Sequence, residues 1–346
     1  MHGEGLASER LTVPLVSWRF MISDDVARQA SAVDDDWRDS KFSQRRPSMD
    51  TLAWVAASMG QGSRIAGHRR LTGGANSAVH RLTVERDNTR TSVVLRQYPP
   101  GSIALQTAME TEITNLKVVA GSQLPVPRIL AADVAGVATG GVPSLLMTRL
   151  PGQVHLNPAE HRLWIERIAK FAAHLHSVDI PAPIFRPWKD SWIAPLGQFQ
   201  VPNGAQRPAV WQAAFDAMEA PPPEDGPVFL HCDYLPVNLL WSRGNITGLT
   251  DWNSLHRGSR AIDVGQCRRY LAALYSPEWA EQLSSLYESI AGVTLHPWWD
   301  LYALLHHDNN GPKSICRQVA GRRPVDVSGM TARVEVAVGQ ALKRLG

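Results

Sequence analysis

The sequence has little that would point to a membrane, a disulfide framework or a nucleic-acid surface. It contains no apolar run of about 18 residues, so a membrane-spanning helix is not expected. The 3 cysteines are odd in number and widely spaced, which favours a reducing compartment over a disulfide scaffold. The 35 basic and 32 acidic residues are interspersed, so no polybasic surface is indicated. We therefore expect a cytoplasmic globular protein that binds neither nucleic acid nor membrane.

Two common nucleotide-binding motifs are also missing. Neither GxxxxGK[ST] nor GxGxxG occurs, which removes the main support for a P-loop or a dinucleotide-binding fold. An apolar content of 44% in 346 residues is enough for a real core in one large or two moderate domains. Residues 1–46 contribute little to that core, because DDVARQASAVDDDWRDSKFSQRRPS mixes both charge signs without apolar periodicity. We expect them to form a solvated or partly disordered extension.

Strand patterns dominate the segment that follows residue 68. Two apolar, β-branched runs lie on either side of Asp87 and Asn88, and the pair Gly73 and Gly74 precedes the first run. The predicted order is strand, Gly-rich turn, strand, turn, strand. Backbone N–H groups in a turn with two glycines can approach an anion, because no side chain blocks them. The alternative for this glycine pair is a purely structural turn, which is the commoner case.

A charged residue stands near the end of the third predicted strand, VVLRQY. If the Arg96 side chain points inward, it needs an anionic partner, since an unpaired buried charge is costly. The next predicted helix has apolar residues at helical spacing from Ile103 to Ala120, with Glu112 at the edge of that face. Arg96 and Glu112 could bridge strand and helix. The residues alone favour the alternative of two solvated surface charges.

The run SLLMTRLPG, residues 144–152, reads as a buried strand that ends at Pro151 and Gly152. The chain beyond it is more helical and holds most of the tryptophans. We therefore predict an α+β fold of two lobes, with a small β-rich N-lobe over residues 47–150 and a larger α-helical C-lobe over residues 151–346. A cleft between two lobes is a common place for a small ligand to bind.

A hairpin is predicted after the stretch HCDYLPVNLL, because Gly244 and Asn245 separate two apolar runs. With that turn, Asn238 faces Asp251, and the Cβ atoms of a directly opposed pair lie about 4.5–5.5 Å apart. An amide oxygen and a carboxylate at the open end of a hairpin would suit Mg²⁺. A hairpin flanked by ordinary polar capping residues is the alternative.

Asp233 lies close enough to this site to act as a separate acid–base group, and HCDYLPVN matches the kinase catalytic-loop pattern H-x-D-x-x-x-x-N. The stretch GLTDWNSLHRGSRAIDVG, with Asp251, Gly258 and Asp263, is similar to the metal-binding segment of the family named next. Through these motifs the sequence resembles the aminoglycoside phosphotransferase family, also called the phosphotransferase enzyme family, over about residues 68 to 270. Further segments that carry the resemblance are LTGGANSAVHRLTV, VVLR, ETEITNLKVVAGSQLPVPRIL, SLLMTRLPG and FAAHLHSVD.

The resemblance implies a protein-kinase-like fold and the transfer of phosphate from ATP or GTP to a hydroxyl of a small molecule. An aminoglycoside, a macrolide or another natural product would be the acceptor, as in antibiotic resistance. Asp233 would be the catalytic base, and Asn238 and Asp251 the Mg²⁺ ligands. The family's nucleotide-binding roles would fall on a larger set, in which Arg96 and Glu112 grip the phosphates, Gly73, Gly74, Asn76 and Ser77 cover them, and the backbone of Leu146, Met147 and Thr148 contacts the adenine. Asp263 would brace the catalytic loop from a helix N-terminus.

Some features depart from the family or from protein kinases. Arg96 stands where many members have Lys; because Arg can bind phosphate bidentately, an altered nucleotide affinity is expected rather than a dead enzyme. Only 11 residues separate Asp251 from Asp263, which leaves no room for a protein-kinase activation segment. The alternative function is a catalytically silent homologue that binds nucleotide or ligand as a sensor. Retention of Asp233 favours the enzyme, as a monomer or homodimer.

The acceptor is expected to contact residues 185–225 and the helices after residue 270. Acidic and basic residues balance at seven each in that last segment, so a strongly acidic pocket for a polycation is not evident. The HHDN stretch at residues 306–309 could be a metal cluster, but a polar helix end is favoured. A flat, weakly charged acceptor would suit a group of tryptophans for which packing is the commoner role, namely Trp188, Trp192, Trp298 and Trp299.

Overall fold

The computed structural model describes residues 41–72, 77–187, 189 and 198–346. The predicted extension up to residue 40 lies outside these ranges, as do Gly73, Gly74, Asn76, Trp188 and Trp192. The strands are β1 (Arg64–Arg70), β2 (Ala78–Arg86), β3 (Thr89–Gln97), β4 (Ile129–Asp133), β5 (Ser144–Thr148), β6 (Gln153–Val154), β7 (Val228–Leu230), β8 (Leu239–Ser242), β9 (Asn245–Leu249) and β10 (His256–Gly258). The α-helices are α1 (Met49–Ser58), α2 (Ile103–Val119), α3 (His161–Ser177), α4 (Pro208–Ala217), α5 (Ala261–Leu274), α6 (Pro277–Ala291), α7 (Pro297–Leu304), α8 (Gly311–Val319) and α9 (Met330–Leu345).

An antiparallel sheet with the strand order β1-β2-β3-β5-β4 forms the β-rich lobe. The turn between β2 and β3 consists of Asp87 and Asn88, whose φ angles of 48° and 60° lie in the left-handed region that Asp and Asn tolerate. Side chains of β2 alternate between buried and partly exposed, as expected for a strand with two different faces. The predicted meander of three strands is therefore present.

Helix α1 covers one face of this sheet. It begins after Ser48, whose side chain accepts a hydrogen bond from the Thr51 N–H at 3.2 Å. The chain turns away at Gly60, with a φ of 104°. Val55 of α1 packs into a small apolar core with the sheet residues Leu82, Val84, Val93, Leu95 and Leu146. The opposite face of the sheet is left to meet the second lobe.

Residues 41–46, which the sequence assigns to the N-terminal extension, contact this same lobe. Lys41–Gln44 form one turn of 3₁₀ helix that packs beside β2. This short piece therefore lies against the sheet.

Helices build the larger lobe around α5, all of whose residues are buried. Helices α6, α7 and α9 pack against α5, and α3 packs against α6. This lobe also contains two small sheets, β6-β8-β9 and β7-β10. Strand β6 is the first element after the chain leaves β5. The predicted two-lobed α+β fold is confirmed. No helix within the described ranges is long and apolar enough to cross a membrane.

The lobes are connected where β5 ends. After Thr148 the chain leaves the sheet and passes Pro151 and Gly152 before it pairs again as β6. Gly152 has a φ of 92°, and a Cβ there would lie 2.6 Å from the Trp241 carbonyl oxygen. Only glycine fits this close approach without strain.

One expectation about an apolar side chain is wrong, and another is decided by the structure. Ile103, placed on the buried face of α2, is 77% exposed because it stands at the first position of that helix. Trp298 and Trp299 belong to the helical core and do not line an acceptor pocket, since they are only 2% and 7% exposed. Trp298 stacks on Tyr302 with ring centroids 5.9 Å apart. Packing, the commoner role expected for these tryptophans, is the one that the structure shows.

Candidate active site

The loop between β7 and β8 brings Asp233 and Asn238 together. Asn238 ends a single 3₁₀ turn, Pro236–Asn238, and its Nδ2 donates to both the backbone oxygen and Oδ2 of Asp233 at 2.9 Å. Asn238 is buried, so this orientation of the amide is well defined. Because Nδ2 is committed to Asp233, the amide oxygen is the atom that can accept from, or coordinate, another group.

Asp233 has an unusual protonation equilibrium. Desolvation raises the pKa of its carboxyl to about 7, and the negative charge of Asp251 contributes to the rise. The hydrogen bond from Asn238 and the positive charge of Arg269 lower the pKa and so limit the rise. A carboxyl group that titrates near neutrality can take up or release a proton at the pH of the cell.

Helix α5 holds this loop through Asp263, which is fully buried in its first turn. The carboxylate accepts hydrogen bonds from the backbone N–H groups of His231, at 2.9 Å, and Cys232, at 2.8 Å. Cys232 has a φ of 61°, a strained value for a residue with a side chain, and these charge-assisted bonds stabilise it. His176 Nε2 lies 3.3 Å from the same carboxylate, and its Nδ1 lies 2.7 Å from the Tyr287 hydroxyl. The expected brace from a helix N-terminus is present.

Strands β8 and β9 form the predicted hairpin, but its turn lies one residue earlier than predicted. Arg243 and Gly244 occupy the turn with φ angles of 50° and 75°, while Asn245 already belongs to β9. By itself, the earlier turn would pair each β8 residue with a partner that lies two positions earlier on β9.

A bulge at Thr247 of β9 returns one of those two positions. The residue that pairs with Asn238 is consequently Thr250, whose N–H donates to the Asn238 carbonyl oxygen at 3.0 Å. The prediction that Asp251 directly opposes Asn238 is therefore wrong by one residue. Because side chains alternate along a strand, a regular continuation of β9 would point the Asp251 side chain to the face of the hairpin opposite to that of Asn238.

Asp251 reaches the site by another route. It has a φ of 70°, so the chain leaves the regular strand geometry at this residue. Its Oδ1 accepts hydrogen bonds from Arg96 Nη1 at 3.0 Å and from Asn253 Nδ2 at 2.6 Å. The side chain is still 34% exposed, and its charge acts on Asp233. Asp251 therefore lies in the cleft between the lobes, near Asp233.

Arg96 comes from the other side of that cleft and joins the lobes. Its Nη1 lies 2.7 Å from Glu112 Oε1, and its Nε donates to Ser77 Oγ at 3.0 Å. The Tyr98 hydroxyl donates to the second oxygen of Glu112. The side chains of Arg96 and Glu112 are only 14% and 3% exposed. The ion pair between strand and helix thus forms, and the alternative of two solvated charges is wrong.

The charges in this cluster depend on one another. Burial disfavours the charged form of Arg96, but Glu112 and Asp251 outweigh it and raise the pKa of Arg96 well above its ordinary value. Burial raises the pKa of Glu112, which the positive charge of Arg96 opposes. Arg96 therefore stays protonated and keeps the buried carboxylate ionised beside it.

The predicted nucleotide contacts are only partly described. Ser77 is buried at the start of β2 and accepts the hydrogen bond from Arg96. Gly73, Gly74 and Asn76, which precede it, lie outside the described residues.

Leu146, Met147 and Thr148 belong to β5, which pairs with β3 on one side and β4 on the other. The Thr148 N–H donates to the Arg128 carbonyl oxygen at 2.8 Å. Since the sheet uses the backbone groups of this strand, a base that hydrogen-bonds the connection between lobes would meet Arg149 and Leu150 more readily. The predicted contact with the Leu146 to Thr148 backbone is disfavoured by this pairing.

Sequence reasoning missed residues that surround the site. Arg269 of α5 is nearly buried, donates from Nη1 to the His306 carbonyl oxygen at 3.2 Å, and lowers the pKa of Asp233. Asn253 holds Asp251, and Tyr98 holds Glu112. The sequence pointed to Asn253 and Tyr98 only through their position two residues after Asp251 and Arg96. Arg269 has no such neighbour in the sequence.

The oxygen atoms in the cleft fit Mg²⁺. Asn238 can offer its amide oxygen, and Asp251 uses Oδ1 for both of its hydrogen bonds, which leaves Oδ2 for a cation. Within the described part of the chain, no group of three or more His, Cys, Asp or Glu side chains could hold a metal. A site with two protein oxygens suits Mg²⁺, because this ion takes most of its ligands from water and phosphate.

The HHDN stretch is a loop with a capping function. Asp308 Oδ1 accepts hydrogen bonds from the N–H groups of Asn310 and Gly311, both at 2.9 Å, where α8 begins. His307 is buried, with Nε2 3.3 Å from Thr331 Oγ1. These contacts agree with the favoured expectation of a polar helix end.

Comparison with known proteins finds the same fold. A family model described as the phosphotransferase enzyme family matches residues 68–302, which is more than half of the chain. A search of curated proteins found no match. Solved structures do match, including a candidate aminoglycoside phosphotransferase from Ralstonia eutropha JMP134, which is 16% identical with a TM-score of 0.53 over 87% of this chain and 98% of that one.

Two further solved structures carry ligand or substrate names. A thermostable mutant of aminoglycoside phosphotransferase APH(4)-Ia, in a ternary complex with AMP-PNP and hygromycin B, is 15% identical with a TM-score of 0.52, over 84% of this chain and 98% of that one. A macrolide 2′-phosphotransferase from Brachybacterium faecium is 17% identical with a TM-score of 0.50, over 85% and 98%. At such identities the likeness establishes the fold.

Proposed function

Because the chain belongs to the phosphotransferase enzyme family, we propose that it transfers the γ-phosphoryl group of ATP or GTP to a hydroxyl group of a small molecule. The contact of Asp233 with Asn238, beside Asp251 in the cleft, carries this proposal. A protein that only binds nucleotide has no need of a carboxyl that titrates near neutrality at this point. We assign the nucleotide to the lobe of residues 47–150 and the acceptor to residues 151–346.

Asp233 is the acid–base group in this proposal. The acceptor hydroxyl donates a hydrogen bond to its carboxylate, and the proton passes to Asp233 as the new O–P bond forms and the bond to the leaving nucleoside diphosphate breaks. The hydrogen bond from Asn238 Nδ2 keeps Oδ2 of Asp233 in one orientation. Asp263 holds the backbone of the same loop, so it is a positioning residue.

Asn238 and Asp251 are the proposed Mg²⁺ ligands, through the amide oxygen and a carboxylate oxygen. When bound, this ion neutralises negative charge on the phosphates. Arg96 lies beside them and would bind phosphate oxygens. Among the described residues, its Nη2 has no hydrogen-bond partner, so this nitrogen is free for that contact.

The acceptor is proposed to enter from the helical lobe. A cavity of about 190 Å³ lies there, with both aromatic and polar walls. Arg269, whose guanidinium contacts the His306 carbonyl oxygen on one side and influences Asp233 on the other, links this cavity to the loop. Among the described lining residues Asp308 is the one acidic side chain, so the cavity suits a weakly charged hydroxylated natural product better than a polycation. The lining includes Phe199, Trp211, Phe215, His306 and Asp308.

The test is phosphate transfer from γ-labelled ATP and GTP to a panel of aminoglycosides, macrolides and other hydroxylated natural products. Transfer that requires Mg²⁺ is expected. In Asp233→Asn, we expect kcat to fall by about 10²–10⁴-fold while the nucleotide Kd changes little, because the lost group acts on the acceptor proton. Asp216→Asn, the same change at an exposed position of α4, is the matched control.

Two outcomes would contradict the proposal. Near-normal turnover in Asp233→Asn would exclude this residue as the base. Nucleotide binding without transfer to any hydroxyl compound would favour the alternative, a silent homologue that acts as a sensor.

A further inference from the structure

A cluster of basic side chains surrounds an open cavity of about 530 Å³ on the β-rich lobe, away from the cleft. Three separate pieces of chain contribute to it: the segment just before α1, the end of β1 and the start of β2. No carboxylate is among the lining residues, which are Gln44, Arg46, His68, Arg70 and His80. A cavity of this size is large enough for a small ligand.

The cluster lies on the opposite face of the sheet from Arg96. In the register of β2 and β3, Val79 pairs with Arg96 and His80 pairs with Leu95. Because neighbouring side chains of a strand point to opposite faces, His80 points away from the cleft. Arg70 pairs directly with His80 and shares its face. The basic cavity is therefore separate from the site proposed for the nucleotide.

His80 shows that this cavity is built into the fold. Its side chain is only 1% exposed, and within the described part of the chain Nδ1 has no hydrogen-bond partner. A buried polar atom is normally satisfied, so an unpaired one in a residue that lines a cavity indicates a place for a ligand or solvent. The His68 ring lies edge-on to it, with centroids 6.1 Å apart.

Among the described residues, neither Arg46 nor Arg70 pairs with a carboxylate. Arg70 donates to the Ser43 carbonyl oxygen at a long 3.4 Å, and Arg46 is exposed. Burial is the largest cause that lowers the pKa of His80, to about 4, and the positive charges of His68 and Arg70 lower it further. An anion in the cavity would relieve this repulsion.

We propose that this cavity binds a small tetrahedral oxyanion, of the class of phosphate, sulfate or a phosphate monoester. Arg46 and Arg70 donate to its oxygens, since the planar guanidinium group matches such an anion. His80 adds a ring N–H from the buried side. The bound anion links the segment before α1 to the end of β1, which leads directly to Ser77 and the turn before it.

Sulfate is the probe for this site, and the test does not depend on the proposed catalytic function. Isothermal titration of the full chain with sulfate, at constant ionic strength set by chloride, is expected to show saturable binding. Arg70→Gln should raise the Kd at least about tenfold, since it removes a charge-assisted contact. Arg46→Gln, at an exposed position that folding does not need, should also weaken binding.

Arg69→Gln is the matched control. It makes the same change one residue earlier on β1, where the side chain pairs with Arg81 on the opposite face. Its sulfate Kd should equal that of the unchanged protein. An equal loss in Arg69→Gln and Arg70→Gln would reveal only a general charge effect and overturn the proposal. A loss confined to Arg96→Gln would place the anion in the cleft, and no saturable binding at all would equally overturn it.

Discussion

At the scale of single residues, the buried carboxylate of Glu112 depends on one neighbouring cation, Arg96. Both oxygens of this buried carboxylate are bonded, one by Arg96 Nη1 at 2.7 Å and the other by the Tyr98 hydroxyl. Burial alone would protonate Glu112, and the adjacent guanidinium is what opposes this. Removing the cation therefore leaves a charge in a site that cannot solvate it.

A double-mutant cycle tests this dependence. Arg96→Met should lower the free energy of unfolding by about 3–5 kcal/mol, because it leaves Glu112 without a countercharge. Arg96→Met combined with Glu112→Gln should cost less than Arg96→Met alone, since a neutral amide can still accept the bond from Tyr98. Urea denaturation measures both. If the double variant loses as much as the two single variants added together, the two side chains are not coupled.

The residue scale also shows which parts of the site could be predicted. The contact of Asn238 with Asp233 follows from a short turn, so the local motif was informative. The position of Asp251 could not be obtained by counting, because it depends on a bulge at Thr247 of β9 and on a left-handed φ at Asp251 itself. Neither feature follows from the spacing of apolar residues along the two strands.

At the scale of elements, the catalytic-loop motif is held in place by the N-terminal turn of α5. Asp263 accepts from two consecutive backbone N–H groups, one of them at the strained Cys232. Local sequence gives the loop no such acceptor, so its shape depends on α5. A substitution at Asp263 should therefore lower catalysis, although the Asp263 side chain does not contact the reacting groups.

Asp263→Asn provides the measurement. An amide keeps the shape but replaces one acceptor oxygen with a donor, which leaves a backbone N–H unsatisfied. The free energy of unfolding should fall by about 1–3 kcal/mol, and kcat should fall more than the nucleotide KM rises. Asp87→Asn, in the exposed turn between β2 and β3, is the matched control. An unchanged kcat in Asp263→Asn would contradict the bracing role.

The elements themselves were predicted well where the pattern is local. The meander of β1 to β3 follows from turn residues and apolar spacing. Packing was already the commoner role for Trp298 and Trp299, but local sequence does not show which neighbours of α7, such as α5 and α9, bury them. Enclosure of that kind is decided by tertiary packing.

For the whole molecule, the lobes share one apolar core, which joins Met109 and Leu145 of the first lobe to Leu249 and Trp252 of the second, and polar contacts add to it. Arg96 bonds Asp251, and Asn115 Nδ2 donates to the Trp252 carbonyl oxygen at 2.8 Å. Arg322, after α8, donates to the Thr72 carbonyl oxygen. Thr72 immediately precedes the turn predicted to cover the nucleotide phosphates, so the helical lobe has a direct contact with the start of that turn.

Removing this contact should affect the nucleotide more than the chemical step. For Arg322→Met we expect the nucleotide KM to rise by about three- to tenfold, the equivalent of one hydrogen bond, with a smaller change in kcat. Steady-state kinetics with varied nucleotide measures the two constants separately. Arg317→Met, an exposed residue of α8, is the control. An equal KM in both variants would show that the contact with Thr72 has no role in binding.

Stability of the whole molecule should depend on pH through buried neutral histidines. Burial, as the largest cause, lowers the pKa of His80 to about 4 and that of His307 to about 3. In the unfolded chain both titrate near 6.5, so acid protonates the unfolded state first. The free energy of unfolding should therefore fall as the pH drops below about 6.5, by about 2 kcal/mol at pH 5 for each group.

His307→Gln isolates the contribution of one of these groups. Because glutamine does not titrate, the loss of stability between pH 7 and pH 5 should be smaller than in the unchanged protein by about 2 kcal/mol. Urea denaturation at the two pH values gives this difference directly, whatever the substitution does to stability at neutral pH. His174→Gln, at an exposed position of α3, should leave the pH dependence as it was. If His307→Gln also leaves it unchanged, His307 takes up a proton in the folded protein, and the core around Thr331 and Trp211 is open enough to solvate the charge.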